Sequence, residues 1–255
     1  MGNMENITVS ILCAAYNHEK YIADALESFI NQKTNFKYEI LVHDDASNDD
    51  TVDIIKRYEL KYPDIIKPIY QNKNKYSLGI SINDTYQYPR IKGRYVAFCE
   101  GDDFWTDQYK LQKQVDILEA HPECDICAHS AIGIDPETKK IIKHISPCKK
   151  NTLFSIEDVI YGDGGFVATN SLMIRKENLF IEYEFRKIYP LDYSLQIKGA
   201  LRGGMLYLSD NMSAYRILTK NSWTYRMKND IDTYNKHLDK VIRMLNQLNM
   251  DTEKM

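Results

Sequence analysis

Short apolar runs alternate with amphipathic stretches along the first hundred residues of the chain. Residues 8–15 (TVSILCAA), 38–43 (YEILVH) and 95–99 (YVAFC) are continuous and mostly apolar, which is typical of strands buried on both faces of a sheet. Between the first two runs, apolar side chains recur at the spacing of one helical face. These are Ile22, Ala25, Leu26, Phe29 and Ile30. The alternation predicts an α/β fold with a mostly parallel central sheet.

The second half of the chain is less regular, and its pattern ends in one long helix. Residues 205–208 and 212–218 are predicted as two separate extended segments. The final helix carries an apolar stripe of Ile231, Tyr234, Leu238, Val241, Ile242, Leu245 and Leu248. We therefore predict one domain over residues 1–225 and a C-terminal helical extension over residues 226–255. The stripe predicts packing against the domain or against a second subunit, as in a homo-oligomer.

Three of the predicted strands end in polar turns. The first run is followed by Tyr16-Asn17, the second by Asp44-Asp45, and the run at 95–99 by Glu100-Gly101-Asp102-Asp103. Right-handed crossovers place the carboxyl ends of parallel strands at one edge of the sheet, where ligands bind. Carboxylate oxygens suit Mg²⁺ or Mn²⁺, which often bind substrate phosphates as well. Taken alone, Asp102-Asp103 is more often an ordinary strand-to-helix turn than a metal site.

Composition and charge exclude several classes of function. The chain has 255 residues, 44% of them hydrophobic, and a net charge of −3, which gives no whole-chain signature of nucleic-acid binding. No apolar run approaches the roughly 20 residues that a membrane-spanning helix needs, and the first six residues lack the features of a signal peptide. We therefore expect a cytoplasmic protein whose membrane contact, at most, is peripheral at the inner face.

The order of these segments resembles the family 2 glycosyltransferases, which have the GT-A fold and transfer a sugar from a nucleotide donor. The resemblance rests on residues 9–17, 22–32, 38–47 and 93–103, and it is thinner beyond residue 130. It implies a Rossmann-like α/β/α sandwich. The nucleotide-binding half would cover about residues 7–104 and the acceptor-binding half about residues 105–225.

The resemblance also implies roles for individual residues of the strand-end turns. It assigns Asp45 to the imide of uracil, Asp103 to direct coordination of Mn²⁺ or Mg²⁺, and Asp102 to the ribose or a metal-bound water. The whole set implied to bind the nucleotide is Ala15, Tyr16, Asn17, Asp45 and Asp102. The role of Glu100 stays open, because many relatives have a run of aspartates where this chain has Glu-Gly-Asp-Asp.

An inverting transfer needs a base that deprotonates the acceptor hydroxyl. The resemblance places it at the start of a helix well after the metal motif, where Asp192 stands; a simple helix cap is the alternative for this residue, and Asp163 is the reserve candidate. Further contacts to the acceptor or diphosphate are expected from Trp105, Gly164, Gly165 and Arg216, and Trp223 is a second residue suited to stacking on a sugar.

These implications lead to one function and several alternatives. The expected reaction is metal-dependent, inverting transfer from a nucleotide sugar, most simply a UDP-sugar, to a hydroxyl of a glycan, a lipid-linked saccharide or a protein. The setting implied is bacterial cell-surface polysaccharide biosynthesis. A sugar nucleotidyltransferase would need a Gly-rich, basic phosphate loop where this chain has Ala14-Ala15-Tyr16-Asn17-His18. A non-catalytic nucleotide- or sugar-binding module on the same fold is the other alternative.

Overall fold

The computed structural model describes residues 6–217 and 229–253. Ten strands form one sheet within these ranges. They are β1 (Ile7–Ala15), β2 (Lys37–Asp44), β3 (Ile66–Tyr70), β4 (Tyr95–Phe98), β5 (Phe104–Trp105), β6 (Ile126–Ile134), β7 (Ile141–Ile145), β8 (Thr152–Phe154), β9 (Met173–Arg175) and β10 (Met205–Arg216). The helices are α1 (Ile22–Ile30), α2 (Thr51–Lys61), α3 (Lys110–Ala120), α4 (Ile156–Tyr161), α5 (Lys176–Leu179), α6 (Glu184–Ile188), α7 (Asp192–Ala200) and α8 (Ile231–Thr252).

The first half of the sheet is parallel, in the order β3-β2-β1-β4. Strand β1 pairs with β2 up to Ala15 opposite Asp44, and with β4 up to Leu12 opposite Phe98. The carboxyl ends of these strands therefore lie at one edge. The strands are buried on both faces, as their continuous apolar runs predict.

The second half of the sheet is mixed. Strand β9 pairs antiparallel with both β4 and β6, and thereby joins the two halves. Strand β10 runs parallel to β6 but antiparallel to β5 and β8. The two extended segments predicted at 205–208 and 212–218 form one twelve-residue strand, because irregularities near Asn211 let the pairing with β6 continue past the polar stretch.

Two hydrophobic cores cover the two faces of the sheet. Side chains of α1, α2 and α3 build the first with Val9, Ile11 and Cys13 of β1. Side chains of α4 to α8 build the second with Leu12, whose side chain points to the opposite face. The predicted α/β class and its three layers, helix on sheet on helix, are confirmed.

The C-terminal helix α8 packs on the domain mainly through its second half, and also through His237, whose ring centre lies 5.5 Å from that of Tyr189. Met244 and Leu248 are buried, whereas Ile231, Tyr234, Leu238 and Ile242 of the predicted stripe are exposed. The first half of the stripe therefore does not pack on the domain, and for these residues packing against a second subunit stays a prediction. The backbone N–H of Phe185 donates to Asp251 at 3.0 Å and holds the helix against α6.

The predicted boundary between residues 225 and 226, and Trp223, lie outside the described residues. Within the described ranges, no helix is both long enough and apolar enough to cross a bilayer.

Candidate active site

The turns that follow β1, β2 and β4 meet at the edge where these strands end. The backbone N–H of Asp45 donates to the carbonyl of Ala15 at 2.9 Å, and the N–H of Gly101 donates to that of Ala14 at 2.8 Å. The end of β1 therefore lies between the second-strand turn and the acidic turn. The predicted base-binding and cation-binding segments are neighbours in the fold.

The turn after β1 is held by the side chains of the second-strand turn. Asn17 has a φ of +56°, a left-handed conformation that asparagine tolerates better than most residues. Its N–H donates to Ser47 Oγ at 2.9 Å, and its Oδ1 accepts from the N–H of Asn48 at 2.8 Å. Tyr16 precedes it with 41% of its surface exposed. An exposed aromatic ring on a fixed turn is suited to stacking on a planar base.

Asp45 is buried and orders a neighbouring loop. Its Oδ1 accepts from the N–H of Lys75 at 2.7 Å, and its Oδ2 from the N–H of Tyr76 at 3.0 Å. His43 Nε2 lies 3.8 Å from Oδ1. Each oxygen keeps a second lone pair. The carboxylate therefore fixes the segment around residue 75 and keeps acceptor capacity for a ligand.

The acidic turn concentrates three carboxylates. One oxygen from each of Glu100, Asp102 and Asp103 lies within 4.8 Å of the others, the only such cluster among the residues that the structure describes. The turn lies so close to β1 and α1 that a Cβ at Gly101 would be 2.9 Å from His18 Nδ1 and 2.9 Å from a methyl of Ile22. Glycine at this position therefore lets the turn approach the end of β1.

The electrostatics of this turn suit a cation. Burial first, and then the charges of Asp102 and Asp192, raise the pKa of Glu100 to about 8. Part of the Glu100 side chain still contacts solvent. Burial first, and then the charge of Asp102, raise the pKa of Asp103 well above its usual range. Hard oxygen donors that disfavour one another's charge fit a divalent ion such as Mg²⁺ or Mn²⁺.

Asp103 lies behind Asp102 and is 1% exposed. Its Oδ1 accepts from the backbone N–H of Arg216 at 2.8 Å, and its Oδ2 accepts from Asn170 Nδ2 at 3.0 Å. The side chain of Asp102 is 23% exposed and lies 3.9 Å from His18 Nε2. Of these two aspartates, Asp102 is the one whose carboxylate reaches solvent in the cleft.

Arg216, expected to contact the diphosphate, is instead buried beneath the acidic turn. Its guanidinium donates to the carbonyl of Asp102 and to the carboxylate of Asp24, and it lies 4.7 Å from the ring centre of Tyr21. The last residue of β10 therefore supports the backbone of the turn from inside the protein, where a diphosphate cannot reach it without displacing these partners.

Trp105, expected to stack on a sugar, belongs to the first hydrophobic core. It is 4% exposed, its ring centre lies 4.7 Å from that of Phe29, and its Nε1 donates to the carbonyl of Asn170 at 3.0 Å. Strand β5 turns this side chain inward, away from the cleft. The ring is not available to a sugar in this structure.

Asp192 is the first residue of α7, and Leu191 occupies the cap position. Its Oδ2 accepts from Thr169 Oγ1 at 2.6 Å, and its Oδ1 accepts from the N–H of Tyr193 at 2.9 Å. Its charge contributes to the raised pKa of Glu100, so the two carboxylates lie near enough to interact electrostatically. The simple helix-cap alternative does not describe this geometry.

The glycine-rich loop lies beside Asp192. A Cβ added to Gly164 would touch Tyr193 at 3.4 Å, and the N–H of Gly165 donates to Asp163 Oδ1 at 2.6 Å. Gly165 and Phe166 also line an open cavity of about 280 Å³ with residues 143–147. The loop therefore borders the candidate base on the side away from the nucleotide turns.

Sequence reasoning, which would place Thr169 and Asn170 on the acceptor side, did not predict the roles of three neighbours of the site. Asn170, Thr169 and Asp24 each hold a site residue through a hydrogen bond. The only signal in the sequence was the polar triplet Thr169-Asn170-Ser171 before a buried strand. Nothing local indicates which carboxylates these side chains meet, because their partners lie 23 to 192 positions away in the chain.

The fold is an α/β fold whose polar turns meet at the carboxyl ends of parallel strands, where ligands of such folds usually bind. The family model of glycosyl transferase family 2 matches residues 10–183. The chain belongs to that family, as the sequence motifs predict.

Two curated relatives and one solved structure illustrate the likeness. An uncharacterised protein of Mycobacterium tuberculosis is 33% identical over 215 residues, which cover 84% of this chain and 60% of that protein. The UDP-Glc:alpha-D-GlcNAc-diphosphoundecaprenol beta-1,3-glucosyltransferase WfaP of Escherichia coli is 38% identical over 111 residues, covering 44% of this chain and 41% of that enzyme. The chain thus spans about 60% of the length of the mycobacterial relative.

The solved structure is TarS of Staphylococcus aureus (residues 1–349) in complex with UDP-GlcNAc. It matches with a TM-score of 0.63 and 17% identity, over 94% of this chain and 72% of that one. This likeness confirms the predicted GT-A-type fold.

Proposed function

We propose that this chain transfers a sugar from a nucleoside-diphosphate donor to an acceptor hydroxyl. The single observation that carries the proposal is the junction at the end of β1, where the Tyr16-Asn17 turn, Asp45 and the acidic turn are bound to one another. Asp192 lies nearby, because the adjacent residues Thr169 and Asn170 donate to Asp192 and Asp103. Transfer from a nucleotide sugar requires four groups in this order. They are a surface for the nucleobase, a hydrogen-bond acceptor for its imide, a positive charge for the diphosphate and a catalytic base beyond the anomeric carbon.

The donor we propose is a UDP-sugar. Ala15, Tyr16 and Asn17 would border the base, and Asp45 would accept from the uracil imide with a lone pair that the loop amides leave free. The structural neighbour crystallised with UDP-GlcNAc and the relative named as a UDP-Glc-dependent enzyme support uridine over other bases.

We propose that Asp102, rather than Asp103, supplies the ligand that reaches the cation. The side chain of Asp102 is 23% exposed and, with the nearby Glu100, faces the cleft, whereas Asp103 is 1% exposed and is held from inside by Arg216 and Asn170. This exchanges the two roles that the sequence resemblance implies. A Mn²⁺ or Mg²⁺ ion held there would stabilise the negative charge of the leaving diphosphate. Asp103 would then hold the turn in place.

Asp192 is proposed as the base of an inverting transfer. Its carboxylate can accept the proton of an acceptor hydroxyl while that oxygen attacks the anomeric carbon and the nucleoside diphosphate leaves. Asp163, the reserve candidate, already accepts from the N–H of Gly165 and has a φ of +54°. Gly164 and Gly165 would border the acceptor.

For the acceptor we propose a lipid-linked saccharide of bacterial cell-surface polysaccharide biosynthesis. The support is the relative whose name specifies a diphosphoundecaprenol-linked acceptor. Such a substrate would place the protein in the cytoplasm, at the inner face of the membrane. The exposed apolar stripe of α8 is the surface proposed for self-association.

The two alternatives are less well supported. A nucleotidyltransferase disagrees with the family to which the chain belongs. A non-catalytic binding module would not need Asp192 to lie near the acidic turn.

A donor-hydrolysis screen tests this function. The chain is incubated with UDP-glucose, UDP-N-acetylglucosamine or GDP-mannose and Mn²⁺, and release of the nucleoside diphosphate is measured. We expect release from a UDP-sugar, loss of release with excess chelator, and loss in Asp192→Asn but not in Asp163→Asn. Equal activity of wild type and Asp192→Asn would remove Asp192 as the base; inactivity with every donor would favour the binding module.

A further inference from the structure

The short turn Thr169–Ser171, a single 3₁₀ turn, lies between the two halves of the proposed site. Thr169 Oγ1 donates to Asp192 Oδ2 at 2.6 Å, and Asn170 Nδ2 donates to Asp103 Oδ2 at 3.0 Å. Two consecutive side chains therefore contact the candidate base and the acidic turn. Among the residues that the structure describes in the first half of the chain, no segment makes both contacts through its side chains.

Asn170 is itself held rigidly. It is 1% exposed, its Oδ1 accepts from Ser213 Oγ at 2.7 Å, and its Nδ2 also donates to the carbonyl of Ala214 at 3.1 Å. Its carbonyl accepts from the indole of Trp105 at 3.0 Å. Because both polar groups of its side chain have partners, the amide of Asn170 is held in one orientation, and that orientation fixes one oxygen of Asp103.

Thr169 acts on the other side of the turn. Because its hydroxyl donates to Oδ2 and the N–H of Tyr193 donates to Oδ1, both oxygens of Asp192 have a donor. Of these two donors, only the Thr169 hydroxyl lies outside α7. It therefore sets the rotation of the Asp192 carboxylate relative to the rest of the cleft.

We infer that Thr169 and Asn170 are positioning residues that set the separation between the cation-binding turn and the base. The inference rests on the proposed function. Asn170 acts through Asp103, and Thr169 acts through Asp192, so substitutions at these neighbours should affect different steps. Loss of Asn170 should weaken cation and nucleotide binding, and loss of Thr169 should slow turnover.

The first arm of the test is calorimetric titration of Mn²⁺ in the presence of UDP. Asn170→Ala should raise the Kd for Mn²⁺ about tenfold, because Asp103 then holds less firmly the turn that carries the proposed ligand Asp102. Ser171→Ala is the matched control. Its hydroxyl contacts only the carbonyl of Ala168, which still accepts from the N–H of Ser171. If Asn170→Ala does not fold, Ser213→Ala removes the support of Asn170 and should give a smaller rise of the same sign.

The second arm is the kinetics of UDP-sugar hydrolysis. Thr169→Val should lower kcat about tenfold with little change in KM, because it removes a hydrogen bond to a charged group while keeping the shape of the side chain. Thr169→Ser should restore kcat, and Thr169→Val should leave Mn²⁺ binding unchanged. A general loss of structure would instead change both quantities in both variants.

The outcomes separate this inference from the function on which it rests. A wild-type chain that binds no UDP with Mn²⁺ overturns both. A wild type that binds and hydrolyses, with Asn170→Ala equal to Ser171→Ala and Thr169→Val equal to wild type, overturns the positioning role alone. Absence of hydrolysis by a wild type that binds Mn²⁺ and UDP overturns the Thr169 half.

Discussion

Two aromatic residues near the cleft have opposite environments, and this decides what each can do. Tyr16 is exposed on the turn after β1, whereas Trp105 is buried against Phe29 with its indole N–H paired to the carbonyl of Asn170. An aromatic ring that stacks on substrate must be accessible from solvent, whereas a ring that fills a hydrophobic core is inaccessible. The sequence predicts both residues as ligand contacts, and only the exposed fraction of each side chain distinguishes them.

Truncation of these two rings tests that division. Trp105→Ala should lower the free energy of unfolding by about 3–5 kcal/mol, the usual cost of removing a large buried aromatic side chain. Tyr16→Ala should cost less than about 1 kcal/mol and should weaken UDP binding. Denaturant unfolding and calorimetry measure the two effects. A stable Trp105→Ala variant with weakened donor binding would restore the sugar-stacking role.

Lys110 is a buried cation beneath the same ring. Its Nζ lies 3.9 Å from the ring centre of Trp105 and has no hydrogen-bond partner among the described residues. Burial lowers its pKa from 10.5 to about 7. The unfolded chain therefore binds the proton more tightly than the folded chain, and the cost to stability grows as the pH falls from about 10 to about 7 and is constant below that.

Lys110→Met should remove this cost. At pH 6.5 the variant should be more stable than wild type by on the order of 1 kcal/mol or more. The advantage should shrink as the pH rises above about 7 and disappear only above 10.5, where the unfolded wild-type chain also loses the proton. Denaturant unfolding at several pH values measures the difference. An advantage that is constant with pH, or that grows with pH, would contradict the lowered pKa of Lys110.

At the scale of elements, the site depends on where strands end and on which strand reaches across the sheet. Strand β10 brings Arg216 to Asp103 only because its pairing with β6 continues through irregularities near Asn211. Helix α8 contributes less to the domain than its periodicity predicts, since Leu248 is buried and Leu238 is 43% exposed.

The two halves of α8 should therefore respond differently to the same substitution. Leu248→Ala should lower the free energy of unfolding by about 2–4 kcal/mol because it leaves a cavity in the second core. Leu238→Ala should change it by less than about 0.5 kcal/mol. Thermal or denaturant unfolding of dilute protein checks both. A large effect at Leu238 that depends on protein concentration would indicate that the exposed stripe is covered by a second copy.

At the scale of the whole molecule, the sequence predicts features that depend on local pattern, and it does not predict features that depend on long-range contacts. Strands β1, β2 and β4 and their polar turns were predictable, because a buried run and the residues that end it are adjacent in the chain. The positions of Trp105 and Arg216 were not, because they follow from the pairing of β10 with β5 and β6, which lie far from it in sequence.

The same division holds within the site. Asp102 and Asp103 are indistinguishable as neighbours in a sequence, yet one side chain reaches the cleft and the other is fixed by Asn170 and Arg216. The pairing of Thr169 with Asp192 likewise depends on how α7 packs beside the 3₁₀ turn. Sequence patterns identify the chemical groups of the site, and the fold decides which of them face the substrate.

The central claim is that the acidic turn and the turns beside it form a cation-dependent nucleotide site. Calorimetric titration of UDP into the chain, with Mn²⁺ and with chelator, tests it most directly. We predict binding that requires Mn²⁺ in the wild type and in Asp53→Asn, which removes an exposed carboxylate on α2, and at least about tenfold weaker binding in Asp102→Asn. Binding that is absent from the wild type, or equal in Asp102→Asn and Asp53→Asn, would contradict the account.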